Sequence, residues 1–366
     1  MGGHGSAKEG HPKSSRVTET RKSEHIDIVA KGIGAFKKTS WLEFVELLPY
    51  SLPDFSFDDI STTSVFLSRT FSLPIFISGM TGGTERSKDI NICLAKVASR
   101  FNVPLGIGSQ RAMLENNAVT HTYMVKEYEP GVFLAGNIGV TSLIRFGTRK
   151  VREALKKIGA DCLCIHINPL QEVLQKEGDK DFSGSLDAIK AAVDTFDCPI
   201  IVKEVGCGFS RKVLEQLKAV GVTAVDVAGA GGTSFAKIEL IRSRLLDRQE
   251  FRGIPEFGIP TACALLEAQG LGFELIASGG IRSGLDVVKV LALGARMAGI
   301  GAPFLEILEK EGDEGVFLYM ENLTHAIKGV MFSLGCKSLE SLRNVEKIFL
   351  EPLGRWHYER TTNTTH

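Results

Sequence analysis

Eight short apolar runs, each closing on a polar or glycine-rich end and followed by a helical stretch, constrain this chain more than any other feature. They are "PIFISG" at residue 74, "VPLGIG" at 103, "VFLAGN" at 132, "DCLCIHI" at 161, "PIIVKE" at 199, "TAVDVAG" at 223, "FELIASGG" at 273 and "RMAGIGA" at 296. Amphipathic segments such as "SKDINICLAKVASRF", "TRKVREALKKIGA" and "SRKVLEQLKAVG" lie between them. Strands that are apolar throughout and alternate with helices are buried on both faces, as in a parallel sheet covered by helices. Eight such units predict an α/β fold closed into a (β/α)8 TIM barrel. An open doubly wound sheet should carry G-x-G-x-x-G at its first turn, and "SGMTGGT" does not. One domain is expected over residues 16–366, with residues 1–15 a disordered tail and residues 16–73 an N-terminal extension. Within that extension "RTFSLP" belongs to a hairpin closing one barrel end, and residues 314–353 read as helices packed outside. From "AGAGGTSF" the chain is expected to run as a long loop, of the kind that forms a lid or stays disordered, until Pro260.

Composition narrows the function classes. Of 366 residues 43% are hydrophobic and 23% charged, enough for a sizeable core. Lys+Arg and Asp+Glu are both 43, and this balance argues against a general nucleic-acid binder. The seven cysteines form no zinc-like pairs. Cys162 and Cys164, two apart on a strand, share one face and read as small buried hydrophobes. An odd cysteine count without a secretory signal points to the cytoplasm. No apolar run approaches the roughly 20 residues that cross a bilayer, so no membrane partner is expected.

In such a barrel the chemistry sits at the C-terminal ends of the strands. There the sequence places "SGGIRSG" (residues 278–284) and "GIGAP" (residues 299–303), glycine loops after strands 7 and 8. Backbone amides brought close by glycine, beside a helix N-terminus, suit a phosphate. Thr233 in "AGAGGTSF" is positioned for the same group or for the body of a cofactor. Lys203, ending the apolar strand "IIVKE", needs Glu204, another carboxylate or an electron-rich cofactor atom as partner. "IHINPLQE" (residues 165–172) ends strand 4 on His166, Asn168, Gln171 and Glu172, which is more polarity than a core strand tolerates without a site. "TRKSEHIDI" collects Arg21, Lys22 and His25, which alone read as a solvated charge run. "GIGSQRAM" adds Arg111. If these cations converge, their donors match a doubly charged group such as a diphosphate.

Taken together, "RKSEH", "SGMTGG", "GIGSQR", "AGNIG", "INPLQE", "VKEVGCG", "GGTSF" and "SGGIRSG" resemble the type 2, FMN-dependent isopentenyl-diphosphate isomerases of archaea and bacteria. The resemblance implies FMN lying along Gly79, Met80 and Thr81, with Ser109, Asn137, Lys203 and Thr233 around its ring and ribityl chain. Gly280, Arg282, Gly301 and Ala302 would hold its phosphate. Arg21, Lys22, Ser109, Gln110 and Arg111 would bind the substrate diphosphate, with His166 and Asn168. Gln171 would sit by the isoprenoid chain, and Gln171 and His166 would assist reduced FMN as acid and base. Glu172 would ligate Mg²⁺, which suits a hard cation already bound to phosphate oxygens. NADPH would prime the flavin, and the enzyme would be a homo-oligomer, tetramer or octamer. The reaction implied is a 1,3-allylic shift between isopentenyl and dimethylallyl diphosphate in isoprenoid biosynthesis, for which the sequence offers no tight pair of carboxylates or cysteines.

Two other readings remain open at this level. An FMN-dependent 2-hydroxy-acid oxidase would use the same barrel but needs a His base and Arg residues gripping a carboxylate. A non-catalytic phosphate-ligand binder would keep the loops without turnover.

Overall fold

The eight apolar runs form one closed sheet. A computed structural model describes residues 12–362 of the chain. Its barrel strands are β1 (Ile75–Ile77), β2 (Leu105–Gly106), β3 (Leu134–Gly139), β4 (Cys162–His166), β5 (Ile200–Lys203), β6 (Ala224–Asp226), β7 (Glu274–Ser278) and β8 (Met297–Ile300). They pair in parallel in sequence order, and β8 closes on β1 through Ala298↔Ile75, Gly299↔Phe76 and Ile300↔Ile77. The continuous apolar runs follow from burial on both faces. Ile75, Ile77, Leu134, Leu163, Ile165, Val202 and Val225 pack outward under the helices. Phe76, Ala135, Cys162, Cys164, Ile201, Ala224, Ile276 and Met297 fill the interior. Cys162 and Cys164 therefore share a face as expected, and burial holds both thiols above their ordinary range.

The bottom of the barrel is stoppered by an antiparallel hairpin, Ser64–Phe66 with Arg69–Phe71. Its two-residue turn, Leu67–Ser68, has positive φ at both positions, the geometry that matches strand twist in tight hairpins. Phe66 and Phe71 are buried edge-to-face against Phe76 and Phe133 at ring distances of 6.4 and 5.4 Å. The backbone N–H of Leu67 donates to Glu274 at 2.8 Å. "RTFSLP" thus closes one end of the barrel, as its residues predict.

Two expectations are corrected. The segment between Thr233 and Pro260 is not a bare loop: it contains the helix Phe235–Arg242 and two short 3-10 turns. Ser234 caps that helix through the N–H of Lys237, and its buried Ile238 and Leu240 pack inward. The C-terminal region is not helical throughout. After the helix Ala302–Ser333, a strand Lys347–Phe349 pairs antiparallel with Val45–Leu47 and joins the segments on either side of the barrel. Residues 1–11 of the expected tail lie outside the described residues, and residues 12–15 belong to a helix, Pro12–Ala30.

Candidate active site

One cavity occupies the C-terminal mouth of the barrel, with about 1670 Å³ not filled by protein atoms and part of that open to solvent. Every residue singled out above as a site residue lines it except Gln110. Gln110 is buried behind the wall, where its Oε1 accepts the Asn137 N–H at 2.9 Å and its own N–H donates to the Asn137 carbonyl at 2.8 Å. It shapes the β2 and β3 ends from behind.

Strand register places the polar floor. Gly139, His166, Lys203 and Asp226 are successive partners across β3 to β6. The Asn137 amide N–H donates to the Ile107 carbonyl at 3.1 Å, which turns Asn137 Oδ1 toward His166 Nδ1 at 2.8 Å. His166 must therefore carry its proton on Nδ1, leaving Nε2 as an acceptor. Burial, then the positive charges of Lys203 and Arg111, push this imidazole down to about 3, so it is neutral at physiological pH. Lys203 Nζ donates to the Glu204 carbonyl at 2.6 Å, and its nearest carboxylate is Asp226 at 3.9 Å. The Glu204 side chain instead turns back and accepts from the N–H groups of Val205, Gly206, Cys207 and Gly208. That nest fixes the loop after β5. Burial raises Asp226, which is held by Ser278 Oγ at 2.6 Å.

The segment after β4 folds as a short helix, Pro169–Leu174, started by Pro169 at its first position. Glu172 is buried, and both of its oxygens are already engaged: Oε1 by Asn168 Nδ2 at 3.1 Å and Oε2 by the Asp179 N–H at 2.6 Å. Asn168 Nδ2 also reaches Gln171 Oε1 at 3.0 Å. Each carboxylate oxygen keeps a second lone pair, so one cation can still be ligated. Among the described residues no cluster of three His, Cys, Asp or Glu could hold a metal. This donor set fits Mg²⁺, which takes one or two carboxylates and fills its shell with water and substrate phosphate.

The N-terminal helix crosses the mouth, and its charged segment is not solvated. Arg21 and His25 have side chains only 12% and 18% exposed. Lys22 is fixed in the wall, donating to the Gly82 carbonyl and to Tyr123 Oη at 2.8 Å, with the Ser109 carbonyl at 3.4 Å. Burial, then Arg21, draws the Lys22 ammonium down to about 7. Three nearby oxygens use its three N–H groups, so Lys22 ties the helix to the strand ends. Arg21 lines the cavity and pairs with Glu177 at 3.8 Å; burial lowers its guanidinium against the pull of Glu177, and Arg111 lies within electrostatic range. Arg111 is itself braced by Glu115 at 2.9 Å.

A buried carboxylate pins this helix. Glu239, on Phe235–Arg242, accepts from His25 Nε2 at 2.9 Å and from Arg242 at 2.5 Å. Arg242 also grips Glu24 at 2.8 Å and Glu177 at 3.3 Å. Burial lowers His25, so at neutral pH it is a neutral N–H donor, and Arg242 supplies the charge opposite Glu239. Glu239 and Asp226 escaped the sequence reading, although an acid inside "FAKIELIR" and another inside "AVDVA" each interrupt an apolar pattern. Two cavity-lining polar side chains, Ser78 and Gln175, also went unnoticed.

The glycine loops make the remaining wall. Gly279 and Gly280 have φ of 104° and 79°, and a side chain at Gly280 would strike the Gly231 carbonyl at 2.6 Å. At Gly301, which precedes the helix Ala302–Ser333, an added Cβ would meet nothing closer than 3.6 Å. It would intrude on the cavity instead. Beside it, Ser78 Oγ is buried without a hydrogen-bond partner. An unpaired hydroxyl next to a glycine-lined helix N-terminus fits an anionic, oxygen-rich cofactor, and the residues therefore fit FMN.

Residues 166–347 match the model of the FMN-dependent dehydrogenase family. An isopentenyl-diphosphate delta-isomerase of Pyrococcus furiosus is 39% identical over 353 residues, covering 94% of this chain and 90% of that protein. Enzymes of the same name from Methanothermobacter thermautotrophicus and Nostoc sp. are each 38% identical, covering 94% and 90% of this chain and 97% and 95% of their own lengths. A solved mandelate oxidase with (S)-2-phenylpropionate superposes with a TM-score of 0.62 at 17% identity, over 90% of this chain and 97% of the other. That last likeness is one of fold.

Proposed function

Because this chain belongs to the isopentenyl-diphosphate delta-isomerase family, we propose that it interconverts isopentenyl and dimethylallyl diphosphate in its barrel mouth, as an FMN enzyme of isoprenoid biosynthesis. The observation that carries this reading is the pair Arg21 and Arg111. Two guanidiniums from distant segments face one cavity within range of each other, and burial weakens the first. Each also pairs with one carboxylate, Arg21 with Glu177 at 3.8 Å and Arg111 with Glu115 at 2.9 Å, and a diphosphate offers oxygens to the donors both still turn to the cavity.

When bound in its reduced form, FMN supplies the acid and base function that the proton shift requires. Met80, Thr81, Ser109, Asn137, Lys203 and Thr233 would hold its body, and Gly280, Arg282, Gly301 and Ala302 its phosphate. Arg21 and Arg111 bind and orient the diphosphate end, with Ser109 and Asn168 beside them. Glu172 would ligate a Mg²⁺ ion shared with the diphosphate. Gln171, the position before Glu172 on the same turn, would face the alkene with a neutral amide, which positions it without adding charge. His166 presents Nε2 as an acceptor toward the reacting region and stays uncharged there. The N-terminal helix, pinned by Glu239, crosses the mouth and narrows it. NADPH is the proposed reductant, and a homo-oligomeric, cytoplasmic enzyme completes the reading.

The direct test is to incubate the FMN-loaded, reduced protein with isopentenyl diphosphate and Mg²⁺ and identify the product by NMR. Dimethylallyl diphosphate is expected. A protein that binds FMN and substrate yet forms none would overturn the assignment in favour of a binder.

A further inference from the structure

We infer that Gln175 is a substrate-binding residue that donates a hydrogen bond to a diphosphate oxygen, an inference that rests on the function proposed above. Gln175 lines the same cavity wall as Gln171 and Glu172, one helical turn beyond Gln171, and is only 3% exposed. Its backbone is fully used: its N–H donates to the Gln171 carbonyl at 2.9 Å, and its carbonyl accepts the Gly178 N–H at 2.9 Å. Its side-chain Nε2 is buried and has no partner. A buried amide nitrogen without an acceptor carries the whole cost of its desolvation, and a leucine or methionine would fill that volume without it. The position therefore spends stability on a donor aimed at something the protein chain itself does not provide.

The surroundings define what that acceptor is. The neighbouring acceptors do not serve it: both Glu172 oxygens are held by Asn168 and the Asp179 N–H, Gln171 Oε1 is held by Asn168, and none of them bonds Gln175 Nε2. The backbone that carries Gln175 is fastened over Glu172 by the Asp179 N–H at 2.6 Å. What remains is an oxygen arriving with the ligand. Arg21 and Arg111, which line the same cavity, draw an anionic oxygen to it. A neutral amide reads that oxygen without competing with Glu172 for the cation.

The experiment measures binding of isopentenyl diphosphate and of inorganic pyrophosphate, each with Mg²⁺, to the FMN-loaded enzyme by calorimetry. Gln175→Met should weaken both by about 10- to 150-fold, as expected for a lost hydrogen bond to a charged group. It should leave FMN affinity unchanged, and the melting temperature without substrate should hold or rise, because an unpaired donor has been removed. Gln175→Glu should bind diphosphate more weakly still, since it sets a carboxylate against the phosphate. Gln175→Met that binds both ligands like the wild type would overturn the inference alone, as would a fall in its ligand-free melting temperature accompanied by loss of FMN. Gln175→Glu that matches or exceeds the wild type would do the same, assigning the amide to a metal-bound water instead. A wild type that binds pyrophosphate but never isopentenyl diphosphate would defeat the proposed substrate and leave the Gln175 contact to be judged on pyrophosphate.

Discussion

Acidifying the ligand-free protein should leave His166 uncharged far below the ordinary imidazole range, because burial and two neighbouring cations hold it near 3. The unfolded chain would bind that proton near pH 6.5. Between about pH 6.5 and 3 the unfolded state therefore holds more protons, and His166 makes the fold lose stability as pH falls through that window. Nitrogen NMR should find Nδ1 protonated and no titration from pH 8 to 5; a titration near 6.5 would contradict the burial of His166 beside Lys203 and Arg111, and a proton on Nε2 alone would contradict the Asn137 pairing. Two substitutions probe the anion and metal contacts. Arg111→Ala should raise the apparent substrate constant by about 10- to 150-fold, the range of a lost charge-assisted bond, with FMN binding unchanged. Equal loss for a neutral analogue would instead make Arg111 a brace for Glu115. Glu172→Gln should keep FMN but raise the Mg²⁺ concentration needed for substrate binding, and an unchanged Mg²⁺ titration would remove Glu172 from the metal site. Much of the cavity's lining was legible in advance because His166, Asn168, Gln171 and Glu172 break an apolar run where a strand ends. The tautomer of His166 was not, since it is set by Asn137, 29 residues away and adjacent only through register.

At the scale of elements, the helix Pro12–Ala30 and the helix Phe235–Arg242 act as one unit, joined through Glu239, His25, Arg242 and Glu24. Glu239→Ala should cost about 1.5–3 kcal/mol of local stability, the range for hydrogen bonds to a charged group. Hydrogen exchange should then quicken in residues 21–30 while β1 to β8 keep their protection. Uniform quickening across the barrel would show that Glu239 supports the core and not the docking of the N-terminal helix. The strands themselves could be read from the sequence because burial on both faces leaves each an unbroken apolar run. "TRKSEHIDI" could not be placed from its own residues: its charges look solvated until Glu239 and Tyr123, from distant segments, supply their partners. The same reason hid the helix Phe235–Arg242, whose polar face meets the N-terminal helix, so its sequence lacks the stripe of a solvent-facing helix.

The whole molecule is a barrel with a bottom sealed by Phe66 and Phe71 and a top built from strand ends, glycine loops and an added helix. That division confines the chemistry to one mouth, and it is shared with FMN oxidases of the same fold, so a bound flavin alone does not identify the reaction. Conservation of electrons does. Isomerisation leaves substrate and product at one oxidation level, so a single reduction of the flavin supports many turnovers. An oxidase must return its flavin to the oxidised state with a second substrate in every cycle. The deciding measurement is anaerobic: reduce the FMN-loaded protein once with dithionite, remove the excess, add isopentenyl diphosphate and Mg²⁺, and follow product and flavin absorbance together. Many equivalents of dimethylallyl diphosphate per flavin, with the reduced spectrum persisting, are predicted. Flavin oxidation in step with each product molecule, or no product at all, would contradict the account.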